Sequence, residues 1–363
     1  MNLKEEKYAQ YYLVQEMMGT VDTVRKFDPA DSQFVADAVK ETRKLMFSGE
    51  GSSRIMPAKN ARRVAMRNGL DVNIQTDGSY QCCEYKLDDY AVVLDSNSGR
   101  TKETLMLALD LKAKGNNRRF ALSANPNTPL EEACVKGNVL KCGWENAVAA
   151  TKSVVEQALF CESIVWNVAG KDMKAAMKGL PEKLETALTL PVDPEIVEWV
   201  KGAHTIYFCG MNDGVAEELT LKTNEITRRK SDFLEGTYAV HGIEEVMQEG
   251  DIVFVVAPIE NEYDKFLTVF KNAGVQPPQD PLPRGRYGDG HLVQRGLLQR
   301  DSYRRPAPRL RRADDPRGHQ NRRERQESQQ ELCGRPPAHR RGLAAPTHQQ
   351  RDDSQTPKVR LTL

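Results

Sequence analysis

The chain has 363 residues, enough for two domains of ordinary size, and its formal net charge is only +1. With 39% hydrophobic and 28% charged residues it is typical of a globular protein, and no stretch reaches the roughly 20 apolar residues of a bilayer span, which excludes an integral membrane protein. The start of the sequence, MNLKEEKYAQYY, lacks a signal-peptide pattern, and the 7 cysteines follow no metal-ligand spacing. We therefore expect a cytoplasmic protein with no disulfide framework, metal site or cofactor.

The small net charge conceals two unlike parts of the sequence. Residues 1–275 carry 22 Lys and 11 Arg against 41 acidic residues, whereas residues 276–363 carry 1 Lys and 18 Arg against 10 acidic residues. The second part also holds 11 of the 19 prolines and has no Ile, Phe, Met or Trp. It therefore offers too little apolar surface to build a core.

Three interpretations of this Arg/Pro-rich tail remain open: a nucleic-acid-binding segment, a disordered extension, or translation in a shifted reading frame. The only aromatic residues available to stack on bases are Tyr287 and Tyr303, so we expect no nucleic-acid partner. The abrupt change from Lys to Arg near residue 275 favours the shifted frame.

In chain order, the first elements are predicted helices at 3–28 and 31–45, where apolar residues recur near helical spacing. Short apolar runs then alternate with small-residue turns and helical segments, as in strands that are each followed by a helix. The predicted strands are 44–47, 90–94, 119–122 and 139–140, and the predicted helices are 101–114 and 147–161.

The same pattern restarts after a linker near residues 190–193. The elements predicted there are a strand at 205–209, a helix at 215–228, a strand at 251–257 and a helix at 260–272. A parallel sheet would continue with at least one more strand, but the sequence turns into the Arg/Pro-rich tail instead.

Strands without polar alternation, separated by helices, indicate parallel sheets covered on both faces. The predicted fold class is therefore α/β, with two doubly wound parallel-sheet domains, the second cut off partway, and a disordered or frame-shifted tail. The predicted boundaries are 1–30 for an N-terminal helix, 31–185 and 195–275 for the two domains, and 276–363 for the tail.

Two strand-to-helix turns of the first half are rich in hydroxyl and amide groups. Hydroxyls and free backbone N–H groups at the start of a helix form an anion site that suits a phosphate, although such turns also serve as ordinary helix caps. Neither GxxxxGK[ST] nor GxGxxG is present, so nucleotides are poor candidates. The polar residues of the two turns are Ser52, Ser53, Ser96, Asn97, Ser98 and Thr101.

In the second half, Glu218, Lys222 and Glu225 have the spacing i, i+4, i+7, which places them on one helix face. Without further information this pattern is most simply a solvated face with a Glu–Lys pair. It also suits chemistry beside a carbonyl, where a carboxylate removes a proton and a lysine stabilises the enediolate oxygen. His241 follows the helix, and histidine is the side-chain type whose ordinary pKa lies nearest to neutrality.

With these residues in place, the sequence from about 35 to 273 resembles the SIS (sugar isomerase) family. Residues 49–53 (GEGSS) are similar to the family's first Gly/Ser loop, and residues 96–101 (SNSGRT) to its SxSGxT phosphate-binding loop. Residues 145–153 (ENAVAATKS) resemble the E-x-x-V-A-x-T-K segment. The resemblance implies that the first half binds the phosphate.

Two further segments resemble the isomerase portion of glucosamine-6-phosphate synthase. Residues 221–226 (LKTNEI) are similar to its LKxxEI helix and residues 238–242 (YAVHG) to its KHG turn, with the same separation of 16 residues between the glutamate and the histidine. Four features depart from that enzyme: no counterpart is expected for its glutaminase domain or for its carboxy-terminal lysine loop, Asp232 stands where its pattern has Glu, and Arg100 replaces an acidic residue of the phosphate loop.

The resemblance implies a role for each matching residue. Glu225 moves a proton between C1 and C2 of the open-chain sugar, Lys222 lines the same pocket, and His241 assists ring opening from a neighbouring subunit. The residues expected to bind the substrate are Ser52, Ser53, Ser96, Asn97, Ser98, Thr101, Glu145, Val148 and Glu218.

We therefore expect a sugar-phosphate isomerase or deaminase that acts on an amino sugar phosphate by C1–C2 proton transfer. It is expected to form a homodimer or higher homo-oligomer with shared active sites. Two alternatives remain: a deglycase that splits a fructosyl-amine 6-phosphate, and a non-catalytic regulator that binds a sugar phosphate.

Overall fold

A five-stranded parallel sheet forms from the first half of the chain in the computed structural model, which describes residues 1–257 and 259–275. Its strands are β1 (Lys44–Gly49), β2 (Asn73–Asp77), β3 (Ala91–Asp95), β4 (Arg119–Ser123) and β5 (Lys136–Val139), in the order β2-β1-β3-β4-β5. The three central strands are buried almost throughout, as their continuous apolar runs predict.

Helices cover both faces of this sheet. They are α1 (Glu6–Ala9), α2 (Tyr12–Lys26), α3 (Gln33–Thr42), α4 (Ile55–Arg67), α5 (Ser79–Cys82), α6 (Lys102–Ala113), α7 (Pro129–Ala133), α8 (Lys152–Val168), α9 (Met173–Ala176) and α10 (Leu180–Thr189). Leu45 and Phe47 of β1 share a core with Phe160 of α8, whereas Met46 between them joins the opposite core with Leu107 of α6. The two-residue period of a strand thus divides β1 between two cores.

A second sheet of three parallel strands follows, with the order β7-β6-β8. Its strands are β6 (Ile206–Gly210), β7 (Ser231–Glu235) and β8 (Ile252–Val255), and its helices are α11 (Pro194–Gly202), α12 (Val215–Lys222) and α13 (Tyr263–Asn272). One face is packed by Tyr207, Leu234 and Phe270, and the other carries a stacked pair of Phe208 and Phe254. Both sheets fall within one compact unit.

The α/β class with two parallel sheets confirms the predicted fold class. The described residues give the first sheet five strands and the second three. The predicted tail, residues 276–363, lies outside the described residues, and the domain boundaries stay predictions. Across the part of the chain that is described, no helix combines the length and apolar character needed to cross a membrane.

Several predicted element bounds were wrong. The helix predicted at 147–161 begins only at Lys152 and runs to Val168, because residues 144–151 form an irregular loop. The helix predicted at 215–228 ends at Lys222 and continues as one π-helical turn, Thr223–Thr227. The strands β2 and β7 were not predicted, since both are polar edge strands with one or two buried residues each.

Candidate functional site

The two hydroxyl-rich turns lie side by side at the carboxyl end of the first sheet. They follow β1 and β3, which are hydrogen-bonded neighbours. In this strand order the direction in which the chain winds reverses between these two strands, and open α/β sheets bind ligands at such a switch point. Gly49 allows the strand ends to approach, since a Cβ there would lie 2.5 Å from the Asp95 carbonyl oxygen.

The turn after β3 folds around Ser96. Its Oγ lies 2.7 Å from Thr101 Oγ1, and its carbonyl accepts a hydrogen bond of 2.9 Å from Gly99 N. Arg100 N donates to Ser98 Oγ at 3.1 Å. Thr101 occupies the N-cap of α6 without capping it through its side chain. The first N–H groups of α6 and three hydroxyls therefore border the same turn, an arrangement that suits an anion.

Substitution of Gly99 by Ala is expected to lower the free energy of unfolding by about 2–4 kcal/mol. Gly99 has φ +64°, and a Cβ would lie closer than 3.0 Å to three atoms of Thr128. Thr128 is itself buried and caps α7 through Oγ1, so it cannot withdraw freely. The measurement is urea denaturation of both proteins.

Gly115→Ala is the matched control for that prediction. Gly115 has φ +78°, but a Cβ added there would meet no atom within 4 Å. The substitution therefore carries only the cost of the left-handed backbone, about 1 kcal/mol. Equal losses in the two variants would show that the contact with Thr128 does not constrain the turn.

A buried glutamine on α8 connects the two turns. Gln157 Nε2 donates to Asp95 Oδ1 at 2.7 Å and to Ser53 Oγ at 3.3 Å. Asp95 is the last residue of β3, directly before Ser96, and burial raises the pKa of its carboxyl well above the ordinary range. Within the described residues, Asp95 Oδ2 and Gln157 Oε1 have no hydrogen-bond partner. Sequence reasoning missed both residues; the one available signal was an aspartate at the end of an apolar strand.

Glu145 caps the helix that carries Gln157. Its carboxylate accepts hydrogen bonds from Thr151 N at 2.8 Å and Lys152 N at 2.7 Å, and from the Ser153 hydroxyl. These bonds satisfy the first donors of α8 and fix where it begins. Val148, in the loop between, is fully exposed. Within a single chain, Glu145 therefore acts on the site indirectly, by fixing the start of the helix that carries Gln157.

Lys222 joins the second half of the chain to the first. Its Nζ donates to Ser52 Oγ at 2.8 Å and to Glu225 Oε2 at 3.1 Å, and lies 3.5 Å from Glu218 Oε1. Four of the predicted site residues are thus brought together, with Ser52, Glu218 and Glu225 around the ammonium group of Lys222. They come from the turn after β1, from α12 and from the π-helical turn that follows α12.

The two carboxylates beside Lys222 have different environments. Glu218 is buried, and burial raises the pKa of its carboxyl against the opposing effects of Ser52 and Lys222. Neither of its oxygens accepts a hydrogen bond from the described residues. The side chain of Glu225 is 37% exposed. Glu225 can therefore be reached from solvent, whereas Glu218 offers two desolvated acceptor oxygens.

His241 lies outside this cluster. It ends the short 3₁₀ helix Tyr238–Val240, and its Nε2 is 3.5 Å from Lys265 Nζ. Among the described residues it makes no hydrogen bond or ion pair with Glu225, Lys222 or Glu218. The described residues contain no group of three or more His, Cys, Asp or Glu side chains placed to hold a metal ion.

No protein-family model matches the sequence, and comparison with curated proteins finds no match. Solved structures do match. Tagatose-6-phosphate ketose/aldose isomerase from Escherichia coli has a TM-score of 0.61 at 15% identity and covers 76% of this chain and 82% of its own. The C-terminal domain of glucosamine-fructose-6-phosphate aminotransferase from Francisella tularensis has a TM-score of 0.57 at 18% identity, covering 75% and 84%.

A third similar structure is glucosamine-6-phosphate deaminase from Thermotoga maritima, with a TM-score of 0.54 at 18% identity over 71% of this chain and 83% of the other. Structural similarity at sequence identities this low establishes the fold alone. The chain has the SIS-type fold that these three solved structures share. The family resemblance in the sequence is thereby confirmed at the level of the fold.

Proposed function

We propose that the chain binds a sugar phosphate at the turns after β1 and β3 and transfers a proton between C1 and C2 of an amino sugar phosphate. The observation that carries this proposal is the contact set of Lys222, which touches Ser52 of one turn and the carboxylates of Glu218 and Glu225. A cation beside a carboxylate base and a hydroxyl-rich anion site suits proton transfer next to a carbonyl, because the base can take the proton and the cation can stabilise the oxygen that becomes negative.

In this mechanism the phosphate binds at the start of α6, where the hydroxyls of Ser96, Ser98 and Thr101 border free N–H groups. Glu225 takes the proton from C2 of the open-chain sugar and returns it at C1. A second proton passes from the C2 nitrogen to the C1 oxygen, so that the C1 aldehyde becomes an alcohol and the C2 amine an imine, which water hydrolyses to a ketone and ammonia. Lys222 stabilises the oxygen that becomes negative between the two proton transfers.

The same proposal assigns ring opening to His241 of a second copy in a homodimer. It is supported by the position of His241, which is exposed and lies apart from Glu225 within one chain. An imidazole can donate a proton from one ring nitrogen and accept one at the other, which suits it to passing a proton to a ring oxygen.

The separation of His241 from the cluster also favours a second candidate, a regulator that binds the sugar phosphate without turnover. The two functions differ in one observable. Incubation with glucosamine 6-phosphate or fructose 6-phosphate in deuterium oxide, followed by proton NMR, detects loss of the C1 or C2 proton even when no net product accumulates. Exchange supports the enzyme, whereas saturable binding without exchange supports the regulator. Fructosyl-amine 6-phosphates are included because a deglycase would use the same proton transfer.

The double substitution Ser98→Ala with Thr101→Val is expected to weaken binding of hexose and hexosamine 6-phosphates about 10- to 100-fold. Each lost hydroxyl removes a hydrogen bond whose net worth after exchange with water is about 0.5–1.5 kcal/mol, so the two together account for about 1–3 kcal/mol of binding free energy. Isothermal titration calorimetry measures the change. Thr186→Val, which removes an exposed hydroxyl on α10, is the control and is expected to leave Kd unchanged. Equal Kd in the double variant and the wild type would reject the phosphate site.

A further inference from the structure

Two ion pairs hold α12 against α4. Lys59 Nζ pairs with Glu217 Oε2, and Arg63 Nη1 pairs with Asp213 Oδ2 at 2.6 Å. Lys59 and Arg63 are four residues apart and so lie on one face of α4. These pairs are only partly accessible to solvent, and the side chain of Asp213 is 2% exposed. They connect the half of the chain that contains the first sheet to the half that contains the second.

The contact also fixes where α12 begins. Asp213 uses its other oxygen, Oδ1, to accept a hydrogen bond of 3.1 Å from Val215 N, the first residue of α12. Gly214 has φ +89° and is so close to α4 that a Cβ would lie within 3.0 Å of the Ile55 carbonyl oxygen. The start of α12 therefore lies against the first turn of α4, at a distance that a residue with a Cβ atom could not reach.

Both helices of this contact adjoin or carry residues of the Lys222 cluster, which consists of Ser52, Glu218, Lys222 and Glu225. The short helix Gly51–Ser53 leads directly into α4, and α12 ends at Lys222. Glu217 and Glu218 are adjacent, so one carboxylate pairs with α4 while the next belongs to the cluster. A single helix, α4, thus both follows the turn that carries Ser52 and holds the helix that carries Lys222.

We propose that Lys59 and Arg63 are positioning residues, and that their ion pairs with Glu217 and Asp213 set Lys222 on Ser52. The effect of these two residues on catalysis rests on the proposed function, whereas their effect on the position of Lys222 does not. The pairs act across a partly desolvated contact, where reversing one charge leaves two like charges facing each other. Restoring opposite charges in the reverse order recovers the attraction, whatever the identity of the residues.

The test is a charge exchange at the more accessible pair. Lys59→Glu and Glu217→Lys are made singly and together, in the full chain. The single variants are expected to lower kcat/KM for C1–C2 deuterium exchange about tenfold, and the double variant is expected to recover most of that loss. Exchange of the exposed pair, Lys201→Glu with Glu198→Lys, is the matched control and is expected to change nothing.

A second readout requires no catalytic activity. Ser52→Cys is added to each variant, and the yield of a short thiol-to-amine cross-link between position 52 and Lys222 is measured by peptide mass spectrometry. The yield is expected to fall about tenfold in Lys59→Glu and to return in the double variant. If Lys59→Glu fails to fold, Lys59→Met replaces it.

The two readouts separate the two proposals. A wild-type chain that neither binds nor exchanges any sugar phosphate overturns the proposed function, and the cross-link still decides the positioning role. An unchanged cross-link in Lys59→Glu or Lys59→Met, or a loss that the double variant does not recover, overturns the positioning role.

Discussion

Replacement of Glu225 by Gln is expected to lower kcat for C1–C2 proton transfer about 10²- to 10⁴-fold. The amide keeps the shape of the side chain and can still accept the hydrogen bond from Lys222, which now spans 3.1 Å to Oε2, but it cannot take a proton from carbon. Binding of the sugar phosphate is expected to change less than about threefold, because the group acts only in the transition state. Deuterium exchange under saturating substrate and titration calorimetry measure the two quantities.

Glu249→Gln, an exposed change outside the cluster, is the control for loss of one negative charge. The shared-site form of the mechanism adds a further result. Mixtures of Glu225→Gln and His241→Ala chains are expected to regain some activity, since a mixed dimer would contain one site with both groups intact. Full exchange activity in Glu225→Gln alone would contradict the mechanism, and mixtures without activity would contradict the shared site.

The π-helical turn Thr223–Thr227 interrupts the regular helix that the spacing of Glu218, Lys222 and Glu225 predicts. Glu225 follows Glu218 by seven residues, and in a regular helix the two would lie on the same face, as the sequence predicts. In the structure α12 ends at Lys222 and Glu225 lies in the π-helical turn that follows, yet Glu218 and Glu225 both contact Lys222, as their spacing predicts. Turns of this kind occur often at functional sites.

Residues with strong local signals were predictable from the sequence. The strands β1, β3, β4 and β6 could be predicted without knowing what packs against them. Each is buried on both faces, and its sequence is therefore a nearly continuous apolar run. The hydroxyl-rich turns after β1 and β3 could likewise be placed at one sheet edge once the strands were taken as parallel.

What could not be predicted depends on contacts between distant residues. Gln157 meets Asp95 across 62 positions, and Arg63 meets Asp213 across 150. The sequence predicts that Glu145 lies at the opening of α8; instead it folds back over six residues to cap that helix. No local pattern distinguishes such side chains from ordinary surface polar residues, because the burial that gives them their roles arises only when the helices and sheets pack.

The stability of the folded chain is expected to fall as pH rises from about 4.5 to about 7, by about 3 kcal/mol on account of Glu162 alone. Glu162 lies on α8, fully buried, and burial raises the pKa of its carboxyl from 4.5 to about 7. Its oxygens accept hydrogen bonds of 2.9 Å from Asn60 Nδ2 and Trp166 Nε1, which oppose that rise only in part. Below pH 4.5 the carboxyl is protonated in both states. Between the two values the unfolded chain releases the proton while the folded chain retains it, so each step up in pH favours unfolding.

Glu162→Gln isolates this contribution, because the amide is neutral at every pH and nearly isosteric. The variant is expected to gain about 3 kcal/mol relative to the wild type between pH 4.5 and pH 8, as measured by urea denaturation at several pH values. Burial also raises the pKa of Glu156 and Glu218, so the wild-type slope contains more than one group, and only the difference between the two proteins is assigned to Glu162. Glu185→Gln, an exposed change on α10, is expected to leave the slope as it is. Parallel pH profiles for wild type and Glu162→Gln would mean that the buried carboxyl ionises in the folded chain as readily as it does in the unfolded chain.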